Sequence, residues 1–320
     1  MSKRQILVTG GAGFIGSHLV KNLLKQRFPV ILLDTFKLSK NKEKKEERIQ
    51  SIVGNNKLTI ADVNILDKKS IQNIFQDHTI HTIIHLAAQA SVPTSIKDPA
   101  KTIETNLTGS MILFEAAKGH VSHIIFASSG LVYGKNAHTP MKEGDPCNFP
   151  TSPYAVSMRS VEQEAFNFHK NYEVAMTGLR FFPVYGPCMR EDLIIPMIIK
   201  SILADKPVTV FGDGKMKRSY TYIDDIVDGI ISVMHRPNGY QLFNLGSPFA
   251  ISLISLISLI EKILKKKVNA SFKPARKEDL PSLYPDISKA KKRLGFSPKI
   301  SLEEGLKRYI DWILNYTSSQ

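Results

Sequence analysis

The sequence predicts an α/β protein: a doubly wound parallel sheet with a smaller C-terminal lobe. Three observations predict it. Short apolar, β-rich runs alternate with helical patterns through the first half of the chain. A glycine-rich turn follows the first of these runs and opens the first helix. After about residue 181 the order becomes irregular, with short runs separated by Pro and Gly.

The elements follow in order. ILVTG (6–10) reads as a strand, and a helix from about Phe14 to Lys25 follows it. VILLD (30–34) is the second strand. The run KLSKNKEKKEER (37–48) mixes both charge signs at helical spacing, as an exposed helix would. KLTIADV (57–63) precedes a helix near 67–77, and HTIIHLAA (81–88) precedes one near 100–118. HIIFASS (123–129) leads into a polar loop, and a helix begins near Tyr154. EVAMTGLRF (173–181) closes the series. ISLISLISLI (251–260) is about half the length a membrane span needs. It reads instead as the start of a buried helix with serine caps.

Composition narrows the class. A chain of 320 residues, 42% hydrophobic, can bury a sizeable core, and its length suggests about two domains. Its 43 basic and 29 acidic residues leave a net charge of +14, which suits anionic partners such as nucleotides. No nucleic-acid motif accompanies that charge, and no apolar stretch predicts a membrane span. The two distant cysteines, Cys147 and Cys188, make neither a disulfide framework nor a zinc site. A reducing, cytoplasmic compartment is expected. QILVTG is too short an apolar run for a signal peptide.

TGGAGFIGSHL holds Gly10, Gly13 and Gly16 between a strand and a helix. Such glycines allow a tight turn and close backbone approach to a pyrophosphate at the helix N-terminus. Asp34 ends the second strand. A carboxylate there accepts hydrogen bonds from a ribose 2′-hydroxyl and repels a 2′-phosphate, favouring NAD over NADP.

The spacing Gly-x-x-Gly-x-x-Gly differs from the usual dinucleotide fingerprint. It resembles the extended short-chain dehydrogenase/reductase superfamily, in the branch that modifies nucleotide sugars. IADV, HLAAQASV, SSGLVYG, SPYAVSM, LRFFPVYGP, FGDGKMKRSYTYIDDI, FNLG and EDLPSLYPDISKAKKRLGF follow in that family's order along nearly the whole chain. The resemblance implies a Rossmann-type NAD domain over 1–180 and roughly 216–243, with a nucleotide-sugar lobe over 181–215 and 244–320. It implies a cofactor site of Gly10, Gly13, Phe14, Ile15, Gly16, Asp34, Asp62, Val63, Leu86, Ala87, Ala88, Asn106 and Tyr154. A homodimer through the helices near 100–118 and 153–171 is also expected by resemblance.

The family's catalytic set is a Ser/Thr, a Tyr and a Lys. Here these positions hold Ser129, Tyr154 and Met158, the last being the main departure. A tyrosinate takes the proton of a sugar hydroxyl while its carbon gives up hydride, and the serine holds the same oxygen. The lysine cation lowers the tyrosine pKa. From about 10 to 7 is about three units, or about 4 kcal/mol, so losing the lysine costs two or more orders of magnitude. Arg159 lies about 140° from Tyr154 on a helical wheel and is a poor substitute. Lys135 is a loop cation that nothing in the sequence brings to the site.

Reaction type and substrate can be narrowed by the same resemblance. Dehydratase relatives carry an acidic pair just after the catalytic Ser/Thr, and decarboxylases tend to carry a glutamate. Gly130 and Leu131 stand here, which leaves reversible oxidation at one carbon, as a 4-epimerase performs. Arg218 matches a diphosphate-contacting arginine, and Arg276 with Asp279 matches a nucleotide-contacting pair. Arg190 matches the arginine that grips the sugar carboxylate of uronic-acid 4-epimerases, a task suited to a guanidinium fork. Pro183 stands where relatives place Thr or Asn against the sugar, and ASVPTS resembles epimerases of neutral or N-acetylated UDP-sugars. UDP-glucuronate/UDP-galacturonate is the first expectation, and UDP-glucose or a UDP-N-acetylhexosamine the alternative. A catalytically weak or inactive NAD/UDP-sugar-binding protein is the reading that Met158 supports. A 4-keto reductase is a further option, against which Asp34 weighs mildly. Tyr220 is expected to pack in the core.

Overall fold

The structure is a computed structural model that describes residues 5–37, 41–135, 138–275 and 280–317. Its strands are β1 Gln5–Thr9, β2 Val30–Asp34, β3 Leu58–Asp62, β4 Ile80–His85, β5 His123–Ser129, β6 Ala175–Phe181, β7 Val184–Tyr185, β8 Val208–Phe211, β9 Lys217–Ser219, β10 Thr221–Tyr222, β11 Tyr240–Leu245, β12 Ala250–Ser252, β13 Ala270–Lys273 and β14 Ser282–Leu283. Its helices are α1 Phe14–Lys25, α2 Lys42–Ile49, α3 Lys68–Asp77, α4 Val92–Lys97, α5 Pro99–Ile103, α6 Gly109–Ala117, α7 Pro153–Tyr172, α8 Ile194–Leu203, α9 Ile223–Met234, α10 Leu253–Leu264, α11 Ser288–Leu294 and α12 Leu302–Thr317.

Seven strands form one parallel sheet in the order β11-β6-β5-β4-β1-β2-β3. Both faces of the sheet's centre are covered, so strands such as β1, β2 and β5 are nearly continuous apolar runs. Alternate side chains enter separate cores. Ile6, Val8 and Leu32 join one, with residues of α1, α9 and α12. Leu7, Ile31 and Leu33 join the other, with residues of α3, α6 and α7. The chain reverses direction between β1 and β4. The crevice at their C-terminal ends is where this topology seats ligands.

Most elements fall where the sequence puts them, and three differ. The helix near 100–118 is in fact α5, a π-turn over Glu104–Thr108, and α6. The start of α5 is fixed by Pro99 and by the Asp98 carboxylate, which accepts the Lys101 N–H at 3.1 Å. Gly10 lies beyond β1 in a turn with φ +68°. The seventh strand, β11, is absent from the alternating pattern, because its first three residues are only half-buried. Beyond β6, small sheets β7–β10, β12–β9–β14 and β8–β13 accompany the remaining helices. As expected, α10 begins on a serine cap, Ser252 Oγ accepting the Ser255 N–H at 3.1 Å.

Candidate active site

The glycine turn closes tightly at the crevice. A Cβ on Gly10 would lie 2.7 Å from the Ala87 nitrogen, and one on Gly16 would overlap the Gly10 carbonyl. Gly13 is the N-cap of α1. No side chain among the described residues caps it, and the first turn carries no acidic residue. The leading N–H groups of Phe14, Ile15 and Gly16 therefore face the crevice side of the turn as donors for an anion. Leu86 and Ala87 line the next strand end, their N–H groups bonded to Thr9 O at 3.0 Å and Thr9 Oγ1 at 3.3 Å.

Asp34 sits at the neighbouring strand end. Its Oδ2 accepts the Ala12 N–H at 2.9 Å, and its Oδ1 accepts the Thr35 N–H at 2.8 Å and the Lys45 ammonium at 2.6 Å. One lone-pair site on Oδ2 remains, and that fits a ribose hydroxyl. Asp62, paired across from Asp34 in register, turns its carboxylate to the Phe36 and Lys37 N–H groups at 2.8 and 3.3 Å. Val63 donates its N–H to Asp34 O at 3.0 Å. An uncapped helix start, a glycine turn too tight for any Cβ and a ribose-competent carboxylate together fit a dinucleotide.

Asn106 is buried in the π-turn. Its Oδ1 accepts the Gln89 N–H at 2.7 Å, and its Nδ2 donates to Ser157 Oγ at 2.9 Å. Ser157 Oγ in turn donates to Tyr154 O at 2.8 Å. The backbone of Asn106 meets Ser110 Oγ, which bonds His85 Nε2 at 2.9 Å, and His85 Nδ1 meets Thr9 Oγ1 at 2.6 Å. Burial holds the His85 pKa down to about 4, so this link is neutral. A continuous polar chain thus ties the glycine turn to the first turn of α7.

Tyr154 is the second residue of α7, after Pro153 and the cap Ser152, whose Oγ accepts the Ala155 N–H at 3.2 Å. Ser129, at the end of β5, supplies the hydroxyl that acts on the Tyr154 phenol. Burial pushes the Tyr154 pKa above that of a free phenol; Ser129 and the Arg190 charge oppose that shift. Met158 is buried at 3% exposure among Val132, Tyr133, Met141, Cys147 and Phe182, in a cluster that Ala88, Leu131 and Tyr154 border. Arg159 turns to Glu162 at 2.8 Å, and Lys135 is exposed. Gly130 has a packing reason: a Cβ there would lie 2.9 Å from the Phe182 ring, so any side chain at that position would have to displace Phe182.

Arg190 reaches back from the 186–192 loop. Its Nη1 donates to Ala90 O at 2.6 Å, and its Nε and Nη2 donate to Asp192 at 3.0 and 3.2 Å. Pro183 is half-buried, its carbonyl accepting the Thr221 N–H at 2.9 Å. Arg218, in β9, lies between Ile251 of β12 and Leu283 of β14. Tyr220 packs against the larger core, and burial pushes its pKa up to about 12. Arg276 and Asp279 lie outside the described residues.

Sequence reasoning missed several partners. Lys45 was part of the solvated charge run, yet it is largely buried on Asp34 and also donates to Thr35 O at 2.8 Å. Its signal was its place in a helix following the acidic strand end. Glu162 and Arg180 form a buried pair beneath Ser128. His85 and Ser157 lie inside HLAA and SPYAVSM, motifs read for other residues.

The chain belongs to the family described as GDP-mannose 4,6 dehydratase, whose model matches residues 7–309. It is 35% identical over 308 residues to the UDP-glucuronate 4-epimerase of Thermodesulfobacterium geofontis, covering 96% of this chain and 95% of that protein. Among solved structures it resembles the UDP-glucuronic acid 4-epimerase of Bacillus cereus in complex with UDP-glucuronic acid and NAD. The TM-score is 0.91 and the identity 35%, with 98% and 99% of the two chains covered. The UDP-glucose 4-epimerase of Thermotoga maritima with UDP-glucose gives a TM-score of 0.90 and 33% identity at the same coverage.

Proposed function

We propose that the chain is an NAD-dependent UDP-sugar 4-epimerase, with UDP-glucuronate and UDP-galacturonate as the favoured pair. The carrying observation is the Ser129–Tyr154 pair at the crevice, joined by the Asn106–Ser157 hydrogen bonds to the loop beside the glycine turn. The N-terminus of α1 and Asp34 would hold the pyrophosphate and adenosine ribose of NAD. When bound, NAD supplies the acceptance and return of hydride that inversion at C4 requires. Tyr154 takes the C4 hydroxyl proton and later gives it back, while Ser129 holds the same oxygen. Arg218 would hold the diphosphate, and Arg276 with Asp279 would contact the nucleotide. Arg190 would exchange Asp192 for the sugar carboxylate.

The two-lobe division belongs to the same reading. Residues 1–180 with 216–243 serve the cofactor, and 181–215 with 244–320 serve the sugar nucleotide. A second reading has one specific observation behind it. Met158 places no cation one turn above Tyr154, which fits a protein that binds both ligands and turns over slowly or not at all.

A matched pair, this chain and Met158→Lys, separates the two. Each is incubated with UDP-glucuronate and UDP-glucose, and epimer formation is followed. The lysine variant should be faster by about 100-fold at neutral pH. Because the Tyr154 pKa is raised, the phenolate fraction of this chain grows with pH, so its rate should climb through the alkaline range, whereas Met158→Lys levels off earlier. A lysine variant inert on every UDP-sugar would overturn the epimerase reading.

A further inference from the structure

Tyr154 stands where a proton acceptor is needed, and its own helix offers it no cation. The structure brings one from the opposite side. Gly186 at φ +145° and Cys188 at φ +65° bend the 186–192 loop sharply, so that Arg190 crosses back to Ala90. Ala90 is two residues beyond Ala88, which borders the same apolar cluster as Tyr154 and Met158. The guanidinium is therefore pinned beside Gln89, whose N–H goes to Asn106, and Asn106 in turn holds Ser157 in the first turn of α7. The loop is held from behind as well. His18 Nε2 meets Pro187 O at 3.0 Å, Arg48 Nε donates to Cys188 O at 3.2 Å, and Lys44 bonds Glu191 at 2.6 Å.

We propose that Arg190 takes over the electrostatic task of the missing lysine, stabilising the Tyr154 phenolate from across the crevice. The groups facing the phenol support this. On α7, Met158 is neutral and Arg159 is turned to Glu162. At the end of β5, Ser129 supplies a hydroxyl; in the turn after it, Tyr133 donates its proton to Asn244 at 2.7 Å. The segment Ala88–Ser91 carries no charge. Among the described residues, Arg190, with Asp192 behind it, is the charged group that acts on the phenol, and it does so in the direction of ionisation. Asp192 offsets part of that charge. A uronate carboxylate exchanging with Asp192 would leave the local balance unchanged.

The assignment of a proton to move rests on the epimerase reading, but the electrostatic role is testable without turnover. A fluorinated tyrosine placed at position 154 of the full chain reports its own ionisation by fluorine NMR. Arg190→Met should raise the midpoint by about one pH unit, with Arg190→Lys in between. Asp192→Asn should lower it, an opposite shift that mere loosening of the loop does not produce. In a Met158→Lys background the effect of Arg190→Met should shrink. An unmoved midpoint in folded Arg190→Met and Asp192→Asn chains would overturn the proposal. If the midpoints move as expected while Met158→Lys epimerises nothing, Arg190's role stands and the epimerase reading alone falls.

Discussion

Glu162 shows how much of the site rests on one buried residue. Its carboxylate is fully buried and takes four donors: Arg180 Nε at 2.7 Å and Nη2 at 2.8 Å, Ser128 Oγ at 2.6 Å and Arg159 Nη1 at 2.8 Å. Arg180, at 1% exposure, also lies 4.6 Å over the Tyr133 ring centroid. Glu162→Gln leaves that guanidinium without a countercharge, and such breaks cost about 3–5 kcal/mol. Urea unfolding should show the loss, and adding Arg180→Met should recover much of it, because the orphaned charge is then gone. No recovery would mean that the pair matters through its packing. Neither residue was legible as a partner of the other. They lie 18 positions apart, and a pairing between a helix and a strand leaves no local pattern. Ser129 and Tyr154 were legible because each sits in a motif whose context, a strand end or a helix start, can be read from neighbouring residues.

Among the elements, α2 joins the Asp34 strand end to the 186–192 loop. Lys45 reaches Asp34, while Lys44 and Arg48 reach the 186–192 loop. Glu191 takes Lys44 and Lys200, and these two hold its pKa down to about 2. All three side chains of that latch are more than half exposed, so Glu191→Gln should change global stability by less than about 1 kcal/mol. Its effect belongs instead to the loop that presents Arg190. The KM for the UDP-sugar should rise several-fold at low salt, with the difference closing as salt screens the wild-type latch. An equal KM at low salt would show that the loop holds its shape without it. Charge patterning identified α2 as a helix but not as a bridge, since a run rich in both signs looks the same solvated or docked. The central strands β1, β2 and β5 were legible for the opposite reason: burial on both faces makes each a nearly continuous apolar run. The π-turn at Asn106 was not, because one extra residue per turn changes which way a side chain points without changing the composition of the helix.

For the molecule as a whole, the open question is what covers the outer face of α4, α5 and α7. Ile96, Ile103 and Val156 are 50%, 39% and 43% exposed there, on helices that pack against one another. Isolated exposed apolar residues are ordinary, but a group on adjoining helices is what an interaction surface would expose. A second copy of the chain is the expected occupant. The net charge of +14 works against self-association, yet on this face Lys101 is already paired with Glu104 at 2.8 Å. Added salt should therefore strengthen the dimer by screening the remaining repulsion, rather than weaken it. Light scattering should give twice the 35.8 kDa of one chain, and Ile103→Glu with Val156→Glu should halve it, since burying two carboxylates costs far more than the apolar contact returns. Val156 is two residues from Tyr154 and two from Met158, so the dimer contact would brace the very turn that carries the phenol. The monomeric variant should then keep its fold by circular dichroism but lose activity in step with its mass. A single-chain mass for the unmodified protein at micromolar concentration would remove the interface and leave the first turn of α7 held by Asn106 through Ser157.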